Sequence, residues 1–194
     1  GSVSLFTGAA TNGEGGDVIV SVGKSKTDTG GDIYAIAGDS YDASGGAISL
    51  TTGEGTDTSS GSFIVRTVNA GGVGVSGTLR FSSGTTSDGS SGLLEFNIGN
   101  ANGGGRSGEF VMVTGQSSSN LGSIIEVTGG NGSLNTGGHI SMNSGSSSGF
   151  SSGSVRFRTL DASTLGVSGS LHFSSGTTSS GGSGSVSLFT GAAT

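Results

Sequence analysis

The chain has 194 residues, of which 43 are Gly, with no Pro, no Cys and no Trp, and its formal net charge at pH 7 is −6. The excess of acidic residues argues against general nucleic-acid binding. The lack of Cys excludes disulfides and thiolate metal sites. No apolar run approaches the roughly 18 residues that a membrane-spanning helix needs. Gly and Ser at this density are typical of flexible linkers, but the apolar residues recur at fixed places and therefore favour a folded repeat.

An eight-residue word opens the chain and recurs along its whole length. It consists of Gly, any residue, an apolar residue, any, apolar, any, a small or apolar residue, and usually a closing Gly. The words begin at residues 1, 16, 31, 46, 61, 77, 92, 108, 122, 138, 153, 169 and 184. Period-two alternation of this length is typical of a half-buried β-strand, and the abundance of Gly disfavours helices. We therefore predict one short strand in each word.

The third and fifth residues of the words are predicted to form the core face. The third is apolar in every word, and the fifth is apolar in all but the ninth, where Glu126 stands. A buried carboxylate without a partner is costly. A shift of one residue moves every side chain to the other face, so we predict that the ninth word begins one residue later, with Ile125 and Val127 inward and Glu126 outward.

Polar connectors of about seven residues, rich in Gly, Ser, Asn and Asp, separate the words. The predicted fold class is all-β, and each unit of about 15 residues is interpreted as one coil of a β-solenoid whose strands stack in parallel about 4.8 Å apart. Hairpins favour two-residue loops, and this preference makes the solenoid the first choice. An antiparallel β-meander, or stacked sheets, is the alternative.

A longer period is superimposed on the words. The segment GVSGTLRFSSGTTSDGSSG at 74–92 matches GVSGSLHFSSGTTSSGGSG at 166–184. The predicted organisation is a six-unit block over 1–91, a second block over 92–183, and the start of a further block over 184–194. That last segment, GSVSLFTGAAT, is identical to the first eleven residues, which indicates a longer tandem array.

Two sets of outward residues are candidate interaction surfaces. The apolar set suggests a contact patch, with filling by residues of high β-propensity as the alternative; it comprises Ile19, Tyr34, Ile36, Val111 and Val113. The basic set suggests a stripe that meets an acidic surface, with solubility and protection against sheet aggregation as the alternative; it comprises Arg66, Arg80, Arg156 and Arg158.

No constellation of residues points to catalysis, to a cofactor or to a metal. His139 and His172 are the only histidines and lack neighbouring ligands, and no Ser–His–Asp set can be argued. We therefore predict no enzyme, no cofactor and no metal site. Asn131 lies in an Asn-Gly-Ser sequon and is a candidate glycosylation site.

The segments GSVSLFTGAAT, GVSGTLRFSSGTTS and NAGGVGVSG resemble the Gly/Ser-rich tandem-repeat proteins of diatoms and related algae, which are extracellular or associated with the cell wall. The resemblance covers the whole chain and implies a structural or adhesive role outside the cell. We expect β-rich filaments or cell-surface fibres formed by end-to-end and lateral association of the chain with itself. A polysaccharide or mineral surface is a further possible partner. The alternative function is a ligand-binding solenoid for polysaccharide, Ca²⁺ or ice.

Overall fold

A computed structural model describes residues 1–118 and 121–192, and in these residues the chain forms neither a helix nor a strand. The words have no regular secondary structure and are joined by bends. The predicted all-β fold class is therefore wrong, and so are its two versions, the β-solenoid and the antiparallel meander or stacked sheets.

The reason lies in how the backbone hydrogen bonds are placed. A strand requires a ladder of bonds to a neighbour about 4.7–4.9 Å away. In the described connectors, single bonds join residues only eight positions apart, as from the Gly46 amide to the Gly38 carbonyl at 2.9 Å and from the Gly61 amide to the Gly53 carbonyl at 3.0 Å. These bonds close each connector on itself and start no ladder, neither along a hairpin nor at the 15-residue spacing of stacked coils. Alternation of apolar and polar residues predicts the side to which each side chain points. A β-strand also needs a neighbouring strand whose backbone forms hydrogen bonds with it.

The surface of the chain shows how little it buries. Its accessible area is 19,781 Å², whereas a compact protein of 18.5 kDa exposes about 8,200 Å² and the same chain unfolded about 27,000 Å². No described residue is buried, and the only ones of intermediate exposure are Ala37, Gly55 and Gly129. The third and fifth residues of the words, which were predicted to form a core face, are therefore not packed into a core.

The predicted period is nevertheless present in the backbone. The chain bends once in each connector, and successive bends are 15 or 16 residues apart. They lie at 11–13, 26–28, 41–43, 56–58, 72–74, 87–89, 103–104, 118, 133–135, 148–150, 164–166 and 179–181.

A connector usually runs from the closing glycine, the last residue of one word, to the opening glycine, the first residue of the next word. These two ends lie close together, but their glycines are not equivalent. A Cβ added to the opening Gly46 would lie 3.3 Å from the Ala37 Cβ and 3.3 Å from the Gly38 amide nitrogen, whereas one added to the closing Gly38 would meet nothing within 4 Å. The same asymmetry holds at Gly31, whose added Cβ would lie 2.8 Å from the Val22 Cγ1, and at the closing Gly23, which faces open space. Gly31 and Gly46 therefore allow an approach that a side chain would crowd, although at the opening Gly61 and Gly92 the nearest atom would lie at an ordinary contact distance of 3.5 Å. The closing glycines have no such role.

The ninth word confirms the predicted shift by one residue. A Cβ added to Gly122 would meet nothing within 4 Å, so this glycine does not act as an opening residue. Ser123 takes that place, and its hydroxyl donates to the Gly115 carbonyl at 3.4 Å. Glu126 is exposed and accepts a hydrogen bond from the Thr128 hydroxyl at 3.4 Å. The carboxylate thus points away from the predicted core face.

The longer period also recurs in the conformation. The bonds that close the third and fourth connectors reappear 92 residues later, from the Gly138 amide to the Gly130 carbonyl at 2.8 Å and from the Gly153 amide to the Gly145 carbonyl at 2.9 Å. Positive φ angles repeat with the same spacing; the pairs are Gly74 at 141° with Gly166 at 137°, and Gly89 at 108° with Gly181 at 107°.

The chain divides into two units, Gly1–Asn97 and Ile98–Thr194. The block boundaries after residues 91 and 183 remain sequence predictions. Of the segment 184–194, residues 193 and 194 lie outside the described residues.

Candidate interaction surfaces

Each word presents two unequal faces. We call the side of the third and fifth residues the inner face and the side of the second, fourth and sixth residues the outer face, counting the ninth word from Ser123. Two adjacent pairs of identical residues show the difference, because Leu93 is 83% exposed and Leu94 51%, while Ile124 is 85% exposed and Ile125 51%. At these two places the inner side chain is half-covered by the chain itself and the outer one is nearly bare, whereas in the first and last words the inner side chains of Val3 and Leu188 are also bare, at 100% and 98% exposure.

The apolar residues predicted as a contact patch all lie on the outer face and are all exposed. They occupy the fourth or sixth place of words two, three and eight; they are Ile19, Tyr34, Ile36, Val111 and Val113. The Tyr34 hydroxyl donates to the Asp32 carboxylate at 3.0 Å, an exposed contact that ties the ring to its own word. These side chains are 64–85% exposed and are therefore available for contact with another molecule.

The predicted basic residues are exposed as well; they are Arg66, Arg80, Arg156 and Arg158. Arg66 lines a shallow open depression together with Thr67, Val68 and Asn69. Charge is distributed unevenly along the chain, since residues 1–45 carry six acidic and two basic side chains, whereas residues 138–183 carry one acidic and two basic.

The connectors contain a set of hydroxyl groups that make local hydrogen bonds of the kind that their Ser-rich composition predicts for turns, although the exact positions were not predicted. Ser25, Ser40 and Ser147 each accept a hydrogen bond from the backbone amide three residues later, at 3.0, 3.1 and 2.9 Å. Thr86 and Thr178 donate from the same place to the backbone carbonyl two residues later, both at 2.9 Å. Each of the five is the second residue after a closing Gly, and that fixed offset was the available signal. These local bonds hold the bends.

The remaining sequence predictions concern glycosylation, metals and membranes. Asn131 is exposed and directly follows the closing Gly130. Among the described residues, no three or more His, Cys, Asp or Glu side chains form a group that could hold a metal ion. The described part of the chain also has no helix that is both long and apolar enough to cross a membrane.

Comparison with known proteins adds no relative. No protein-family model matches the chain, and no curated protein or solved structure shows significant similarity to it. The repeat and the two exposed faces are therefore the features of the molecule that indicate a function.

Proposed function

We propose that this is a structural tandem-repeat protein, not an enzyme, whose role is to associate with itself into filaments or adhesive fibres outside the cell. The observation that carries the proposal is the exposure of the apolar side chains in a regularly repeated chain. Every large apolar side chain that the structure describes is at least 46% exposed, and these side chains stand on words that recur every 14 to 16 residues.

Such exposure is unfavourable for a chain that stays alone in water. Apolar surface removed from water contributes about 25 cal/mol per Å², and soluble monomers rarely expose contiguous apolar patches beyond a few hundred Å². The chain has about 11,600 Å² more surface than a compact protein of its mass. Other molecules must therefore bury the apolar surface that the chain itself leaves exposed.

The repeat favours copies of the same chain as those molecules. A surface that recurs at a fixed step offers the same contact many times, and a contact between different patches of two copies extends without closing unless its rotation forms a ring. Each single contact between exposed groups is weak, with ion pairs worth about 0–1 kcal/mol. Repetition multiplies these small contributions along a fibre.

The location outside the cell follows the resemblance to the algal repeat proteins. In that setting, a polysaccharide or mineral surface is a second partner of the fibres. Exposed Ser, Thr and Asn side chains in the connectors suit such polar surfaces, because they donate and accept hydrogen bonds without a net charge.

Negative-stain electron microscopy of the purified chain across a concentration series tests the proposal. We expect filaments whose number and length increase with concentration. Short monodisperse particles at all concentrations, together with saturable binding of a polysaccharide, Ca²⁺ or ice, would overturn it and support the ligand-binding alternative.

A further inference from the structure

We propose that the inner face, formed by the third and fifth residues of the words, is the surface on which a second copy of the chain docks. The inference rests on the proposed self-association and specifies which of the two faces makes the contact. The outer face then stays outside this interface.

The inner face is uniform along the chain. With the ninth word counted from Ser123, the third and fifth residues are apolar in all thirteen words, whereas the outer face changes from Ile and Tyr to Arg, Ser, Asn and His along the chain. A face that is alike at every step of about 15 residues is matched by a partner with the same step. A second copy of this chain supplies that step.

The inner face is partly covered in the middle of the chain. Leu94 and Ile125 on the inner face are each 51% exposed, although their identical neighbours on the outer face are 83% and 85% exposed. The chain therefore already surrounds these inner side chains on some sides, whereas Val3 and Leu188 in the first and last words are 100% and 98% exposed. A docking copy needs to cover only the open side, and the geometry of a half-enclosed apolar row favours an apolar partner.

The area of the inner face is sufficient within a single unit. Full burial of a Val, Leu, Ile or Phe side chain removes roughly 60–120 Å² from water, so the exposed half of an inner side chain offers roughly 30–60 Å². The seven words whose inner residues lie in Gly1–Asn97 carry two such side chains each, except that word three has the small Ala35. Their sum is roughly 400–800 Å², which reaches the range of about 600–1,000 Å² per partner in stable protein interfaces.

The absence of Cys from the chain makes thiol accessibility a clean test. Four single variants form two matched pairs of adjacent, identical residues: Leu93→Cys with Leu94→Cys, and Ile124→Cys with Ile125→Cys. Each variant is added at trace level to an excess of the unsubstituted chain, so that assembly does not depend on the variant. The rate of reaction with a soluble thiol reagent is then measured below and above the concentration at which assembly begins.

Assembly should slow the reaction at positions 94 and 125 by about tenfold or more, and at positions 93 and 124 by less than about twofold. The reverse pattern, or equal protection at all four positions in assembled material, would overturn the inner-face assignment while leaving self-association intact. Sedimentation of a monomer at every concentration would refute the proposed function and this inference with it. Protection of position 94 in a monomeric chain only after soluble cellulose derivatives are added would assign the face to a carbohydrate and overturn the proposal.

Discussion

The closure of the third connector predicts opposite behaviour for its two end glycines. Ala at position 46 would place a Cβ 3.3 Å from the Ala37 Cβ and 3.3 Å from the Gly38 amide nitrogen, next to the 2.9 Å bond from the Gly46 amide to the Gly38 carbonyl. Ala at position 38 would meet nothing within 4 Å. Neither glycine has a positive φ, so neither change strains the backbone itself.

The magnitude follows from two opposing effects. Either Gly→Ala change stabilises by about 0.4–1 kcal/mol, because the unfolded chain loses conformational freedom. Gly46→Ala also forces the connector to open by a few tenths of an ångström and weakens a hydrogen bond worth about 0.5–1.5 kcal/mol. The entropy effect is common to both variants, so their difference isolates the closure at about 1 kcal/mol, or roughly fivefold in the opening equilibrium.

Amide hydrogen exchange by NMR, below the assembly concentration and corrected for intrinsic rates, measures that difference directly. We expect the amide at position 46 to exchange about fivefold faster in Gly46→Ala than in Gly38→Ala. The pair Gly138→Ala and Gly130→Ala repeats the test in the second unit, where the added Cβ at position 138 would lie 3.1 Å from the Gly130 amide nitrogen. Equal exchange in both members of each pair, or faster exchange in the closing-glycine variants, would refute the connector geometry.

Three further predictions concern the turns, the inner face and the basic residues. Ser40→Ala removes the acceptor of the Ala43 amide and should speed exchange of that amide several-fold, whereas Ser49→Ala, outside the connectors, should not. Phe81 is 56% exposed, so Phe81→Ala should cost the isolated chain far less than the ~3–5 kcal/mol of a buried Phe, and its main effect should be a raised assembly concentration in sedimentation assays. Changing Arg80, Arg156 and Arg158 together to Ser should leave the circular dichroism spectrum unchanged and weaken the lateral bundling of fibres at low salt. Bundling of normal strength in this variant would contradict the prediction.

The repeat itself was predictable from the sequence. Spacing alone located the bends, because Gly, Asn, Asp and Ser cluster where positive φ and local side-chain bonds are needed. The cost of burying Glu126 was enough to place the start of the ninth word at Ser123. The match of 74–92 with 166–184 anticipated that Gly74 and Gly166 share their backbone conformation.

The pairing of the words could not be predicted in the same way. The alternation around Leu93 and Leu94 reports only the direction of side chains, and a strand also needs a neighbour that accepts its hydrogen bonds. The different roles of Gly38 and Gly46 could not be predicted either. Both are glycines in the sequence, and only the structure shows that Ala37 lies close to Gly46 while Gly38 faces open space. For the candidate surfaces, Ile19 and Arg80 are exposed as nearly every described residue is, so their role as contact residues and the partner that they meet stay predictions.

The central claim is that the chain covers its apolar faces only by associating with itself, and sedimentation velocity over a wide concentration range tests it most directly. We predict that the weight-average sedimentation coefficient rises continuously with concentration, without a plateau at a dimer or another closed oligomer, because copies that dock with an offset leave part of each inner face open to the next copy. A single monomeric species whose sedimentation coefficient does not change with concentration would contradict the account.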